Sequence, residues 1–412
     1  MATRSEPVLA PLSATTQHLP PDDAGARAAP VGPGRIAARG AVLFALFAVA
    51  LEVTCRIEDR IRFGTPILSR FTSQGDLLVR DSLGAHGRPH GRFQKWVLNG
   101  LGTRGPEVAP VPAPGTLRVV AAGASETFGL YESAGREYPR QLEDSLRAGL
   151  AAAPAPGCAA APPAPARVEV LNAALPGMSL PTVVQDLRLR VAAMRPDLVL
   201  LYATPAQYLE DRPPAAARPD SSADAADVPF ARALRPRALA RVREQAKQML
   251  PAVAQDWLRR RDIERRLRAQ PAGWRYAGVP VERVALFERD LREAVGAARA
   301  IGAEPVLATH ANRFFGARSL DERQLNAWER FYPRAPGRVI VAFDSAANEA
   351  TRRVARDSAV AIADLARALA GGGSDLFADF SHFTDAGAAR VAGTLSATMV
   401  EAGRARLCDA RE

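Results

Sequence analysis

Cysteine is nearly absent. Three in 412 residues (Cys55, Cys158 and Cys408) are too few and too scattered for a disulfide scaffold or a zinc site. Cys158 and Cys408 could pair in an oxidising compartment, whereas Glu52-Val53-Thr54 is a poor lipobox and leaves Cys55 unconvincing as a lipid anchor. Lysine is scarcer still, with Lys95 and Lys247 alone, so the basic side chains are almost all arginine. Alongside abundant Ala and Pro, that skew reads as the imprint of a GC-rich genome. The formal charge of +10 would permit nucleic-acid binding. No zinc-finger spacing, RNP-type strand or helix-turn-helix pattern accompanies it, so nucleic acid is not an expected partner. With 48% hydrophobic and 24% charged residues the chain can bury a sizeable core, which excludes a wholly disordered or fibrous protein.

Residues 1–35 are rich in Ala, Pro, Ser and Thr, carry no apolar period and read as a disordered tail. One apolar stretch follows, Gly40–Leu51, extended on both sides to residues 36–55. A membrane span needs about 20 residues. This stretch reaches that length if Arg39 and Glu52 sit at the two interfaces, and it is expected to be a single-pass transmembrane anchor. A cleaved signal peptide fits less well, because about 35 polar residues precede the run and no small-residue cleavage site follows. Charge does not orient it: Arg27, Arg35 and Arg39 precede the run, and Arg56, Arg60, Arg62 and Arg70 follow it. Residues 56–115 form a juxtamembrane and lead-in segment.

From residue 116 to about 402, short β-branched runs alternate with helical patterns. That rhythm predicts an α/β fold, a three-layer α/β/α sandwich around a parallel sheet. Strands are expected at Leu117–Ala122, Val168–Asn172, Leu198–Tyr202, Pro305–Thr309 and Val360–Asp364. Their lack of apolar/polar alternation suits a sheet covered on both faces. Helices are expected at Tyr138–Leu150, Thr182–Met194, Val281–Ile301 and Ser345–Asp357, with a solvent loop at Ala151–Ala166. Roughly 75 residues separate the strand Leu198–Tyr202 from the helix Val281–Ile301, where a loop usually has 2–6, and they hold a basic helical insert, residues 212–280. Apolar residues from Leu239 to Trp257 recur every three or four positions, which predicts two amphipathic helices, the second starting at Pro251. Val228–Arg275 holds thirteen Arg and Lys against four Asp and Glu. It is either a solvated face or a docking surface for an anionic partner such as lipid head groups or an acidic glycan.

Chemistry concentrates in two places. Gly123-Ala124-Ser125-Glu126-Thr127-Phe128-Gly129 follows the first strand and puts a serine at the carboxyl end of a parallel sheet, where α/β folds bind ligands. Thr127 breaks the Gly-x-Ser-x-Gly elbow of α/β-hydrolases. Near the other end, Asp379-Phe380-Ser381-His382-Phe383-Thr384-Asp385 precedes an apolar helix running to about Met399, with Thr384 or Asp385 as its N-cap. Among five histidines only His382 has a carboxylate three residues upstream and a helix start just after it; His310 ends a strand. A nucleophilic serine needs a base, and the base needs a carboxylate to fix its tautomer. One Asp-x-x-His turn can supply both.

Together these motifs resemble the SGNH (GDSL-type) hydrolase family over about residues 97–402. Asn99-Gly100-Leu101-Gly102-Thr103-Arg104-Gly105-Pro106-Glu107 is similar to the lead-in of bacterial members. Asn172-Ala173-Ala174-Leu175-Pro176-Gly177-Met178-Ser179 resembles the second block, and Pro196-Asp197-Leu198-Val199-Leu200-Leu201-Tyr202 the strand before the third. The resemblance implies a flavodoxin-like α/β fold with Ser125 as nucleophile, His382 as general base and Asp379 orienting it. The Ser125 and Gly177 N–H groups would be oxyanion donors. It implies no metal or organic cofactor. The third block normally adds an Asn donor, but the aligned position here is Ala206. Gln207, or else Thr204, would have to substitute, and losing such a donor costs about 3–4 kcal/mol. The implied activity is hydrolysis of carboxylic (including O-acetyl) esters of a small molecule or glycan, in a domain held periplasmic or extracellular. Acyl transfer to a polysaccharide, or glycan binding with weak catalysis, would keep the same fold.

Overall fold

The computed structural model describes residues 33–152, 167–210, 237–239, 241–242, 246 and 250–409. The tail up to residue 32, the stretch holding Cys158, and the start of the insert lie outside the described residues. So does the Cys158–Cys408 pairing. The chain divides into two units, 1–51 and 52–412.

Helix α1 (Pro33–Phe63) carries the apolar stretch, and of the first unit it is what is described. After Pro33 nothing interrupts it except Gly34 and Gly40, and Ala, Leu, Phe and Val fill residues 41–51. Phe44 and Phe47 are among its exposed side chains. It is long and apolar enough to cross a membrane, as a signal sequence also is. The helix runs eight residues past the expected end at 55. Those residues belong to the second unit, and the insert explains their order. The buried Asp59 carboxylate pairs with Arg237 at 3.2 Å and with Arg241 at 2.5 Å, and Glu52 accepts from the N–H groups of Arg237 and Ala238.

The lead-in segment forms two short antiparallel ladders, β1 (Leu78–Asp81) with β2 (Gly84–Gly87) and β3 (Arg92–Phe93) with β4 (Trp96–Val97). The main sheet follows. Its strands β5 (Thr116–Gly123), β6 (Arg167–Asn172), β7 (Leu198–Tyr202), β8 (Glu304–Ala308) and β9 (Ala361–Ala363) are all parallel, in the order β6-β5-β7-β8-β9. All eight residues of β5 are buried, which explains the unbroken apolar runs. Val120 and Ala122 point into one core layer, Leu117, Val119 and Ala121 into the other. The β5–β7 neighbourhood is where the order reverses, the switch point at which ligands bind in open α/β sheets.

One face is covered by helix Tyr138–Ala152 and the C-terminal helix Asp385–Asp409, which pack against each other. The other carries Leu180–Leu189, Val281–Ala300 and Gly337–Asp357. This is the expected three-layer sandwich. The second insert helix does start after Pro251, as Ala252–Arg268, and packs on helix Glu322–Phe331. At the amino end of the sheet Arg118 is fully buried. Its guanidinium meets Glu169 at 2.6 and 2.9 Å and donates to the carbonyls of Ala109, Pro110 and Met194. With its charge and hydrogen bonds both satisfied, that arginine pins the lead-in to the sheet.

Candidate active site

The serine turn is built by close approach. A Cβ on Gly123 would lie 2.3 Å from Thr127 Oγ1 and 2.6 Å from the Tyr202 carbonyl, so the strand can leave the sheet here only as glycine. One helical turn follows, Ser125–Phe128, ended by Gly129 at φ +83°. Lead-in and second block brace it. Arg104 donates to the Phe128 and Gly129 carbonyls and pairs with Glu137 at 3.0 Å, and Asn172 Nδ2 donates to the Thr127 carbonyl at 2.8 Å. Ser125 is partly exposed while Ala124 and Glu126 on either side are buried.

The histidine loop is held as tightly. Phe377 and Phe383 pair across it, and the Ala378 N–H donates to the His382 carbonyl at 2.8 Å. Phe380 stacks on Trp328 at 5.3 Å beneath it, and Thr384 caps the following helix through the Gly387 N–H. Asp379 Oδ1 accepts from the N–H groups of Ser381 (3.0 Å) and His382 (2.9 Å). Both of its oxygens lie 2.9 Å from His382 Nδ1. A carboxylate can only accept there, so Nδ1 carries the proton and Nε2 the lone pair. Nε2 is buried and has no hydrogen-bond partner among the described residues. Burial alone would lower the His382 pKa, but Asp379, Glu126 and Glu132 outweigh it and raise it.

The structure thus joins Asp379 to His382. It does not join His382 to Ser125, whose hydroxyl donates to Glu126 Oε2 at 3.3 Å. Both residues are tied to that one buried carboxylate, because Ser381, next to His382, donates to Glu126 Oε1 at 3.0 Å. Thr204 Oγ1 donates to Oε2 at 3.0 Å, and His310 Nε2 lies 3.5 Å from Oε1. Behind it His310 Nδ1 is 2.7 Å from Asp344 Oδ1. Burial would raise the Glu126 pKa, yet the His310 hydrogen bond and the charges of His382 and His310 hold it well below the usual carboxylate range. His310 is pushed up to about 10, with Asp344 and Glu126 overriding its burial.

Two of the expected oxyanion donors are free to act. Gly177 is exposed at φ +80° with open space around it, and among the described residues neither its N–H nor that of Ser125 has an acceptor. The third is engaged elsewhere: Gln207 Nε2 donates to the Met178 carbonyl at 3.2 Å. Ala206 is fully buried in the core, inside the 3-10 turn Pro205–Leu209. The alternative Thr204 is spent on Glu126.

Sequence reasoning passed over Glu126, Asp344, Ser381 and Tyr131, whose ring lies 5.4 Å from that of His382. It noted His310 without giving it a role, although its place at the end of a strand marks it by the logic applied to Ser125. Glu132 is also buried near the histidine, and burial raises its pKa to about 7. Among the described residues no group of three or more His, Cys, Asp or Glu is arranged to hold a metal.

No family model and no curated protein matches the chain. Solved structures do, and those of GDSL/SGNH hydrolases and esterases stand among them. A lipase/acylhydrolase from Enterococcus faecalis is 16% identical, with 69% of this chain and 95% of that one covered at a TM-score of 0.37. An acetylxylan esterase from Geobacillus stearothermophilus, in a catalytic-mutant form, is 13% identical over 68% and 91% at 0.36. A G-D-S-L family protein from Desulfitobacterium hafniense is 12% identical over 69% and 99% at 0.34. At such identities and TM-scores, the chemistry has to come from this chain's own residues.

Proposed function

We propose that this protein is a membrane-anchored serine esterase that cleaves carboxylic esters, O-acetyl groups included, through an acyl-serine intermediate. The observation that carries the proposal is the Asp379–His382 dyad with its Nε2 lone pair unoccupied, on a loop tied through Glu126 to a serine at the sheet's switch point. The Ser125 hydroxyl turns from Glu126 to His382 Nε2, gives up its proton there, and its oxygen attacks the ester carbonyl carbon. The N–H groups of Ser125 and Gly177 receive the oxyanion. Collapse breaks the acyl C–O bond, and His382 returns the proton to the leaving alcohol. Water then attacks the acyl-serine, passes one proton through His382 to Ser125 Oγ and releases the acid. Asp379 stays ionised throughout and stabilises the imidazolium.

Localisation follows from α1, read as a single-pass anchor with the esterase domain periplasmic or extracellular. The substrate is an acylated small molecule or glycan, and the arginine-rich helix Ala252–Arg268 is a surface for anionic material. With Gln207 and Ala206 both turned away, two backbone donors carry the oxyanion, which suits a slow enzyme or one specialised by its acceptor. Acyl transfer to a glycan hydroxyl uses the same residues, with the hydroxyl in place of water. Labelling by a fluorophosphonate followed by peptide mapping tests the reading. Modification at Ser125, lost in His382→Gln, is expected; an unlabelled serine in folded protein would refute an activated nucleophile.

A further inference from the structure

A buried carboxylate one residue after the nucleophile takes no chemical step in the mechanism above. Glu126 is 2% exposed. Keeping a carboxylate there carries a desolvation cost that an apolar side chain would avoid. Four groups surround it instead: the hydroxyls of Ser125, Thr204 and Ser381, and the His310 imidazole. They come from the ends of β5, β7 and β8 and from the His382 loop, so a single side chain gathers the ends of three neighbouring strands and the histidine loop. Its partners are themselves fixed. His310 stacks on Tyr202 at 5.6 Å, its N–H donates to Asn348 Oδ1 at 2.7 Å, and its carbonyl accepts from Asn348 Nδ2 at 2.8 Å. Asp344, fully buried, accepts from Asn312 Nδ2 at 2.7 Å. An imidazolium between two carboxylates leaves one net negative charge beside the catalytic loop.

We infer that Glu126, held from behind by His310 and Asp344, is a positioning residue for Ser125 and His382, setting the resting orientation of the serine hydroxyl and stabilising the histidine's charged form. The inference rests on the esterase reading. At rest the serine proton is aimed at Glu126 while His382 Nε2 waits unpartnered. As the proton moves to His382, an imidazolium forms beside a second fixed negative charge in addition to Asp379. The groups facing His382 are the Asp379, Glu126 and Glu132 carboxylates and the rings of Tyr131 and Phe380. Arg313, on the segment after β8, donates from its N–H to the Phe380 carbonyl and braces the loop. Asp379 is bonded directly to the ring, and Glu126 acts through space. Removing the Glu126 charge therefore lowers the histidine's affinity for a proton without breaking the dyad.

The test uses the full chain in detergent, as wild type, Glu126→Gln and Glu126→Asp. Two quantities are read: the acid limb of kcat/KM for p-nitrophenyl acetate, and the His382 titration by 15N-histidine NMR, assigned with His382→Gln. In Glu126→Gln both should move to lower pH by about one unit, with kcat reduced about tenfold or more. In Glu126→Asp the charge stays, so the limb should hold while kcat falls, because the shortened side chain no longer reaches Ser125 and Ser381 together. A merely structural role would lower activity in both variants and leave the limb in place. Unshifted titration in folded Glu126→Gln overturns the inference, and so does wild-type kcat in Glu126→Asp, which decides the matter if the glutamine variant does not fold. If wild type shows no esterase turnover the esterase reading fails, and the NMR shift alone then supports or overturns the charge coupling.

Discussion

Replacing Asp379 by asparagine should abolish most of the activity while leaving the fold almost untouched, and the geometry says why. Oδ1 holds three bonds, two from backbone N–H groups and one to the ring, whereas Oδ2 meets only His382 Nδ1. An asparagine keeps its carbonyl oxygen on the two backbone donors and so places its NH2 where Oδ2 was. That group donates to Nδ1, which must then accept, and the proton moves to Nε2. The imidazole is left in the tautomer that cannot deprotonate Ser125. A wrong tautomer in such a dyad reduces kcat by about 10⁴, equivalent to about 5 kcal/mol of barrier. Because the loop's backbone bonds survive, the unfolding free energy should change by about 1 kcal/mol or less. The assay is kcat for p-nitrophenyl acetate across the pH range, with the ring protonation read by 15N-histidine NMR and stability by thermal melting. A kcat within tenfold of wild type, or an unprotonated Nε2 in the variant, would refute the reasoning.

Other consequences are equally concrete. Ala206→Asn should not supply a third oxyanion donor, because position 206 faces the core. It should instead destabilise by about 1–3 kcal/mol through an unsatisfied buried amide, and higher esterase turnover in the variant would contradict this. Glu132 gives a pH signature whose sign is fixed. Its pKa is raised in the fold from 4.5 to about 7, so folding is unpenalised below pH 4.5 and increasingly penalised as the pH rises through 7. Glu132→Gln should therefore match wild type in stability near pH 4 and exceed it by on the order of 2–3 kcal/mol at pH 8. Equal melting temperatures at pH 8 would count against that account.

Much of this architecture was legible in the residues. A sheet covered on both faces demands unbroken Val, Leu and Ile runs, so all five strands stood out with their ends within one residue: β5 runs one residue further at each end, β7 matches, and the edge strand β9 is one residue shorter at each end. The Asp379–His382 contact was legible because the Asp-x-x-His spacing supplies its own partner, whereas Ser125 is marked only by its place after the first strand and bonds to Glu126 instead. The network around Glu126 has no such spacing. Its members lie 184 and 34 residues apart in sequence, on two strand ends and a helix, and only the parallel crossovers bring them together. The engagement of Gln207 is hidden from the sequence for a related reason. Counting along the chain after β7 cannot reveal that the 3-10 turn rotates Ala206 inward and spends the glutamine amide on Met178. The short ladders of residues 78–97 carry too few apolar residues to signal a strand, and they are ordered by the larger domain they brace.

The central claim is that Ser125 is a working nucleophile. It is tested most directly by acid release from p-nitrophenyl acetate, comparing the full chain in detergent with its Ser125→Ala variant. Turnover that disappears in a variant melting at the wild-type temperature is the predicted result. Equal rates in the two proteins, or none in either, would contradict it.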